Sequence, residues 1–283
     1  MVNRMSKLFG VVVLYNPNVF ELKENLASYI NELDHLICVD NSENGPKIEN
    51  FKDSKITYIS MEKNIGLAKA LSYGVKLAIN QGADYIAQFD QDSILEKFAM
   101  TKMYECIKKD DTIGIIGPNI NLIYRQNNIR SFSRECLYDR YVKEVEWIIT
   151  SGSIISRAAY LAINGIDEKL FISGIDRDLC CRVKEKNYKI VLMGTVTLFQ
   201  EAGNTKEKNI LGKKIHPPYL NQQRYYYIFR NELYLRRKNG KNYTKCKTNL
   251  LKYLICAIFF EDKKFNKCKA IIEGISDSRK MLF

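Results

Sequence analysis

The sequence predicts an α/β fold with a mostly parallel central sheet flanked by helices, and three observations predict it. Short apolar strands alternate with helical stretches before residue 90, which is the pattern of strand–helix–strand units. The strands are continuous apolar runs without polar alternation, as expected of strands covered on both faces. Polar clusters follow the strands at Tyr15-Asn16, Asp40-Asn41 and Asp90-Gln91-Asp92, where parallel sheets gather their ligands.

The elements follow in order. Phe9 to Tyr15 is a strand, broken by Asn16-Pro17-Asn18, and Phe20 to Leu33 repeats apolar residues at helical spacing. His35 to Val39 is a second strand, closed by Asp40-Asn41-Ser42 and the turn Glu43-Asn44-Gly45-Pro46. Ile56 to Ile59 is a third, and the stretch opened by Asn64-Ile65-Gly66 is helical to about Asn80. A fourth strand at 84–89 delivers the paired acids. Ile113 to Pro118 reads as strand and turn, Tyr124 to Val142 as a long surface loop, and Glu146 to Ser156 as strand, small-residue turn and strand. Asn164 to Glu168 is a turn, and Leu179 to Lys186 a helix entered through Gly174-Ile175-Asp176-Arg177-Asp178.

The 283 residues are 46% apolar and 27% charged, enough for a sizeable core. The formal charge of +12 is unevenly placed: residues 1–203 carry 25 Lys/Arg against 26 Asp/Glu, and residues 204–283 carry 19 against 6. Eight cysteines form no C-x-x-C pair, so reduced thiols and a cytoplasmic setting are expected. The longest apolar run near the C-terminus, Tyr253 to Phe260, has eight residues, against about 20 for a membrane span. No signal peptide is read at the N-terminus.

Asp90-Gln91-Asp92 carries the most chemical information. Ionised carboxylates beside a buried strand need a cation, and a pair of hard oxygen ligands suits Mg²⁺ or Mn²⁺ and, through the metal, a diphosphate. The bland alternative is that Asp92 caps a helix.

With these motifs in view, Val12 to Pro17, Val39 to Ser42, Asn64-x-Gly66, Phe89 to Ser93, Ser151 to Ser153 and Gly165 to Glu168 resemble family-2 inverting glycosyltransferases of the GT-A fold. Tyr15-Asn16-Pro17, Asp90 to Ser93 and the late Arg224 to Asn231 stretch together resemble the bacterial rhamnosyltransferase branch. The resemblance covers residues 8 to 235 and implies a GT-A domain over 1–235, followed by a basic helical C-terminal extension over 236–283.

It also implies roles. Asp92 matches the usual metal ligand, while Asp90 matches a ribose contact or a further ligand. Tyr15, Asn16, Asp40, Asn64, Gln91, Ser151 and Gly152 fall where the nucleotide sugar binds. Asp176 matches the catalytic base, although Ile175 stands where a Glu is common, and Asp178 is the competing acid. Relatives often have a histidine ligand where this chain has Gln200, so His216 is the substitute to consider. Arg224 and Arg230 are candidates for a diphosphate clamp, with solvated helix faces as the alternative. The implied reaction is inverting transfer of L-rhamnose from dTDP-β-L-rhamnose to a glycan or glycolipid acceptor. A UDP-sugar donor and a catalytically inactive glycan-binding scaffold are the rivals. The basic extension is expected either to lie on the inner-membrane surface or to pack on the catalytic domain. No nucleic-acid module accompanies it, and the oligomeric state is open, a homodimer included.

Overall fold

The computed structural model describes residues 6–45, 54–126, 129–132, 142–201, 208–210, 213–215 and 217–282, with the backbone alone for 124–132 and 208–215. Two compact units divide the chain: Met1–Phe171 with Ile175–Glu201, and Ile172–Gly174 with Ala202–Phe283. Among the described residues no helix is long and apolar enough to cross a membrane.

The first unit begins with β1 (Leu8–Leu14), α1 (Val19–Ala27), β2 (His35–Asp40), β3 (Ile56–Ser60), α2 (Leu67–Asn80) and β4 (Tyr85–Asp90). It continues through β5 (Ile94–Leu95), α3 (Ala99–Lys109), β6 (Ile113–Gln126), β7 (Ile129–Phe132), β8 (Val142–Glu144) and β9 (Ser153–Ser156). It ends with α4 (Arg157–Ala162), α5 (Ile175–Glu185) and β10 (Lys189–Glu201). One ten-stranded sheet runs in the order β3-β2-β1-β4-β9-β6-β10-β5, with β7 on β6 and β8 on β10. The strands β1 to β4 are mutually parallel, β9 enters antiparallel between β4 and β6, and β10 runs parallel to β6.

Both faces of the parallel half are buried, which is why its strands read as unbroken apolar runs. On one face Val12, Leu14, Cys38, Ala87 and Phe89 join Leu22 and Leu26 of α1 and Met100, Met103 and Ile107 of α3. On the other, α2 lies so close at Gly74 that a Cβ there would strike Val11 and Val39.

Several elements differ from the sequence expectation for local reasons. The first helix stops at Ala27 because Ser28 takes over: its hydroxyl donates to the Asn25 carbonyl at 2.6 Å and accepts the Leu95 amide at 3.1 Å. Only a 3₁₀ turn, Ile30–Glu32, follows. Helix α5 starts four residues early, at Ile175, after Phe171, Ser173 and Gly174 turn the chain with positive φ. Of the strand–turn–strand expected over 146–156, only Ser153–Ser156 is extended in the sheet. The apolar Ile148 instead anchors a loop, its side chain filling the space over Gly117. The loop expected over 124–142 begins as sheet, since β6 runs on to Gln126 and pairs with β7; 133–141 lie outside the described residues.

The second unit holds a short hairpin of β11 (Lys208–Ile210) and β12 (Lys213–Ile215), then α6 (Gln222–Asn239), α7 (Leu250–Ile255) and α8 (Lys264–Ser278). A wider π-helical turn, Cys256–Phe260, continues α7. Tyr225, Ile228, Phe229, Ala257 and Ile271 form its core. The motif-based boundary at 235 falls inside α6.

A buried ion pair fixes this unit. The Lys267 ammonium meets Glu261 at 2.8 Å, their side chains 4% and 0% exposed. Glu261 also accepts from the Tyr225 hydroxyl at 2.7 Å and the Tyr219 amide at 3.1 Å. Burial pulls the Lys267 ammonium down, but Glu261 and Asp262 outweigh it and hold it above its usual value. Removing one partner strands the other charge, so Lys267→Met is expected to cost about 3–5 kcal/mol. Urea unfolding checks this against Lys269→Met, an exposed change expected to stay within about 0.5 kcal/mol.

Candidate active site

Register creates the site. Leu14 pairs with Asp40 and Val13 with Asp90, so three strands end side by side at one carboxyl edge. The polar residues that follow each strand then hold one another. The Asn16 amide donates to the Ser42 hydroxyl at 2.7 Å and the Asn41 amide to the Leu14 carbonyl at 2.8 Å. The Asn41 side chain donates to Asn64 at 3.0 Å and accepts the Ile65 amide at 2.8 Å.

Asp40 is fully buried. Its carboxylate accepts the Ser42 amide at 2.9 Å and the Tyr58 hydroxyl at 2.5 Å. Gly45 lies over it so closely that any Cβ would strike the carboxylate oxygens. In this arrangement Asp40 organises the loop after β2.

The Asp-x-Asp segment is tied on both sides. The Gln91 side chain accepts the Tyr15 amide at 2.8 Å, and its carbonyl accepts from the Asn25 side chain at 2.9 Å. Behind the acids, the Ser93 and Ser151 hydroxyls meet at 2.6 Å, and Ser93 accepts the Asp90 amide at 3.1 Å. The Gly152 amide donates to the Gln88 carbonyl at 2.7 Å, with φ at +71°. Ser151 and Gly152 therefore back the acidic turn.

Gln200 and Glu201 arrive from the end of β10. Gln200 donates to the Asp90 carboxylate at 3.0 Å. Burial pushes the Asp92 carboxyl up, and the Glu201 carboxylate adds to the rise, while hydrogen bonds from the Asp92 and Glu201 backbone amides oppose it. The Tyr29 phenol, buried and without a hydrogen-bond partner, is also raised, by burial first and then by Cys38, Asp90 and Asp92. The ends of β4 and β10 therefore bring carboxylates together, with Gln200 on Asp90 and the Glu201 charge felt at Asp92. Among the described residues no group of three or more ligating side chains is preassembled for a metal. The donor set fits a hard divalent ion bound by one or two carboxylates, with waters and substrate phosphates completing it. His216 lies outside the described residues.

The two candidate bases part company. Asp178 is fully buried, and Arg182 donates to one of its oxygens through Nε at 2.8 Å and Nη2 at 2.5 Å. Arg182 also reaches the Ile163 and Gly165 carbonyls at 2.6 and 2.7 Å, tying α5 to the end of α4. Asp176 is half-buried in the first turn of α5 and accepts the Arg177 amide at 3.0 Å. The start of α5 is linked to the strand-end cluster through Gly66, whose φ of +89° lets the chain press against the Phe171 ring. The Phe171 carbonyl accepts the Ala68 amide at 2.9 Å, capping α2. Glu168, in the same turn region, accepts from Ser72 and Lys76, both at 2.8 Å. Burial pushes the Glu168 carboxyl up, but these partners outweigh it and leave it lowered.

In the second unit, Arg230 stacks over the Tyr227 ring at 4.6 Å and donates to Asn231 at 2.9 Å. The Arg224 amide is capped by Asn221 at 2.8 Å. Asn231 holds the Ile172 and Ser173 carbonyls at 2.8 and 2.9 Å, just ahead of the α5 start. Sequence reasoning gave Asn231 and Gln200 no structural role. The only sequence signal for each was its place within or beside a motif.

Two outcomes follow. Asp178→Asn breaks a buried ion pair and is expected to cost about 3–5 kcal/mol in urea unfolding, whereas Asp176→Asn changes a helix-end charge worth under about 1 kcal/mol. A carboxyl raised on folding binds more protons folded than unfolded, so stability falls as pH rises through the window between its ordinary and raised values. In EDTA at neutral pH, Asp92→Asn is therefore expected to melt higher than the parent, and the gap should close below the ordinary carboxylate range. Thermal melts across acidic to neutral pH check the sign.

Comparison with known proteins agrees with this geometry. Residues 11–160 match the glycosyl transferase family 2 model. The chain is 29% identical over 250 residues to the dTDP-rhamnosyl transferase RfbF of Shigella flexneri, covering 83% of this chain and 81% of that one. It is 24% identical to the galactofuranosyltransferase GlfT1 of Mycolicibacterium smegmatis, over 73% and 74% of the two chains. The fold is shared with GalNAc-T7, crystallised with UDP, GalNAc and Mn²⁺, at TM-score 0.58 and 13% identity over 91% of this chain and 57% of that one. It is shared too with S. aureus TarS, at TM-score 0.61 and 13% identity, over 97% of this chain and 49% of that one. The chain thus spans about half the length of these two solved structures. With its matching model covering more than half of its length and its sheet built as in GT-A enzymes, the chain belongs to glycosyl transferase family 2.

Proposed function

We propose that this chain transfers L-rhamnose, with inversion, from dTDP-β-L-rhamnose to a hydroxyl of a lipid-linked surface glycan at the inner face of the cytoplasmic membrane. The observation that carries the transferase reading is the meeting of Asp90-Gln91-Asp92 with Gln200-Glu201 at the carboxyl edge of the sheet. The donor sugar rests on the likeness to a dTDP-rhamnosyl transferase over most of the chain.

Asp92, with Asp90 as a further ligand, would hold Mg²⁺ or Mn²⁺. When bound, the ion supplies Lewis-acid stabilisation of the departing diphosphate. Gln200 fixes the Asp90 carboxylate, leaving Asp90 oriented for a ribose hydroxyl or the ion. The Tyr15-Asn16 loop, Asn64 and the Ser151-Gly152 turn line the same edge and position the nucleotide sugar. Asp176 takes the proton from the acceptor hydroxyl as it attacks the anomeric carbon. Asp178, held by Arg182, keeps the helix that presents Asp176 in place. Arg224 and Arg230 are proposed to meet phosphate oxygens, for which a guanidinium fork is suited.

The second relative, a galactofuranosyltransferase, favours one alternative, a donor other than dTDP-rhamnose such as a UDP-sugar. A screen of dTDP-rhamnose against UDP-sugars, with and without EDTA, decides between them. Turnover of dTDP-rhamnose that EDTA removes is expected, and turnover of a UDP-sugar alone would sink the donor assignment. Asp176→Asn is expected to lose about 10²–10⁴ in turnover, the usual worth of a general base. Its nucleotide affinity by calorimetry should stay unchanged.

A further inference from the structure

The helical segment 250–260, α7 with its wider continuation, is apolar on both sides. One side, through Tyr253, Leu254 and Ala257, joins the core of the second unit. The other carries Leu251, Ile255, Ile258 and Phe259, at spacings that place them on one helix face. All four are exposed, Leu251 at 64% and Phe259 at 65%. Helix α8 adds Phe265, 81% exposed, and Ile272 one heptad later. Helices that meet only water are polar on their outer face, and contiguous exposed apolar residues mark an interaction surface.

The neighbouring charges select the partner. Lys245, Lys247 and Lys252 precede or sit within the stripe, and Lys263 and Lys264 follow it, all exposed. The acids nearest in the chain, Glu261 and Asp262, are both paired with Lys267. Two copies meeting through this face would bring lysine against lysine, which disfavours a dimer. An anionic surface with an apolar interior satisfies both features.

We propose that this face docks on an anionic lipid bilayer. Leu251, Ile255, Ile258 and Phe259 reach below the headgroups, while the lysines stay at the lipid phosphates. The proposal deepens the reading of a lipid-linked acceptor by naming the surface that would meet the membrane, and its test is independent of catalysis.

The test is sedimentation of the whole chain with phosphatidylcholine vesicles, with and without phosphatidylglycerol. The parent is expected to partition onto vesicles containing phosphatidylglycerol and to be released by salt. The double variant Leu251→Glu/Phe259→Glu, both sites exposed and its folding checked by circular dichroism, is expected to lose at least about tenfold in partitioning. Parent-like partitioning of that variant, or no partitioning of the parent, overturns the proposal. So does a parent dimer in size-exclusion chromatography that the variant dissolves without any vesicle binding, since a second copy would then be the occupant. Donor hydrolysis separates the two readings. Vesicle binding without turnover of any nucleotide sugar leaves the lipid face standing and removes the transferase assignment. Equal hydrolysis by parent and variant, with vesicle binding lost, supports both.

Discussion

The parallel register of β1 with β2 and β4 is the constraint on which the rest of the first unit depends. Pairing Leu14 with Asp40 and Val13 with Asp90 brings three strand ends to one level. Each end then exposes backbone groups that must find partners away from the apolar core. The polar residues just past the strands supply them: the Ser42 hydroxyl accepts the Asn16 amide, the Asn41 side chain the Ile65 amide, and the Ser93 hydroxyl the Asp90 amide. The polar edge that could receive a nucleotide is thus the means by which the sheet ends.

The carboxylates sort by how their charge is met. Asp178 and Glu261 are buried and answered by Arg182 and Lys267, an arrangement that fixes geometry and leaves little for a ligand. Asp40 is answered by a hydroxyl and an amide under a glycine. Asp92 differs, since burial and Glu201 both push its carboxyl up. A folded chain keeps such a cost where it is recovered on binding, which is the general reason perturbed groups gather at functional sites.

The sequence made the parallel half legible because double burial removes the polar alternation that blurs strand boundaries elsewhere. The strand-end clusters were legible for the same reason, as abrupt polar interruptions. The start of α5 was not, because its position depends on positive φ at Phe171 and Ser173 as well as at Gly174, and no propensity announces the first two. The different settings of Asp176 and Asp178 were equally hidden. The difference comes from Arg182, which lies one helical turn beyond Asp178 but is aimed by the carbonyls of Ile163 and Gly165. The loop near Ile148 misled because an apolar pair anchoring a loop has the same composition as a strand. Gln200 was visible only as the absence of a histidine, yet it grips Asp90.

Gln91 is usually the silent letter of an Asp-x-Asp motif, but here its side chain and its carbonyl each hold a different part of the N-terminal strand–helix unit. The acids and the Tyr15 loop consequently form one mechanical piece. A displacement of that loop would be felt at Asp90 and Asp92 without any change in the sheet. Exchange of the middle residue would uncouple the two while leaving every charged group in place, so the residue between the acids ties them to the loop while its neighbours supply the charge.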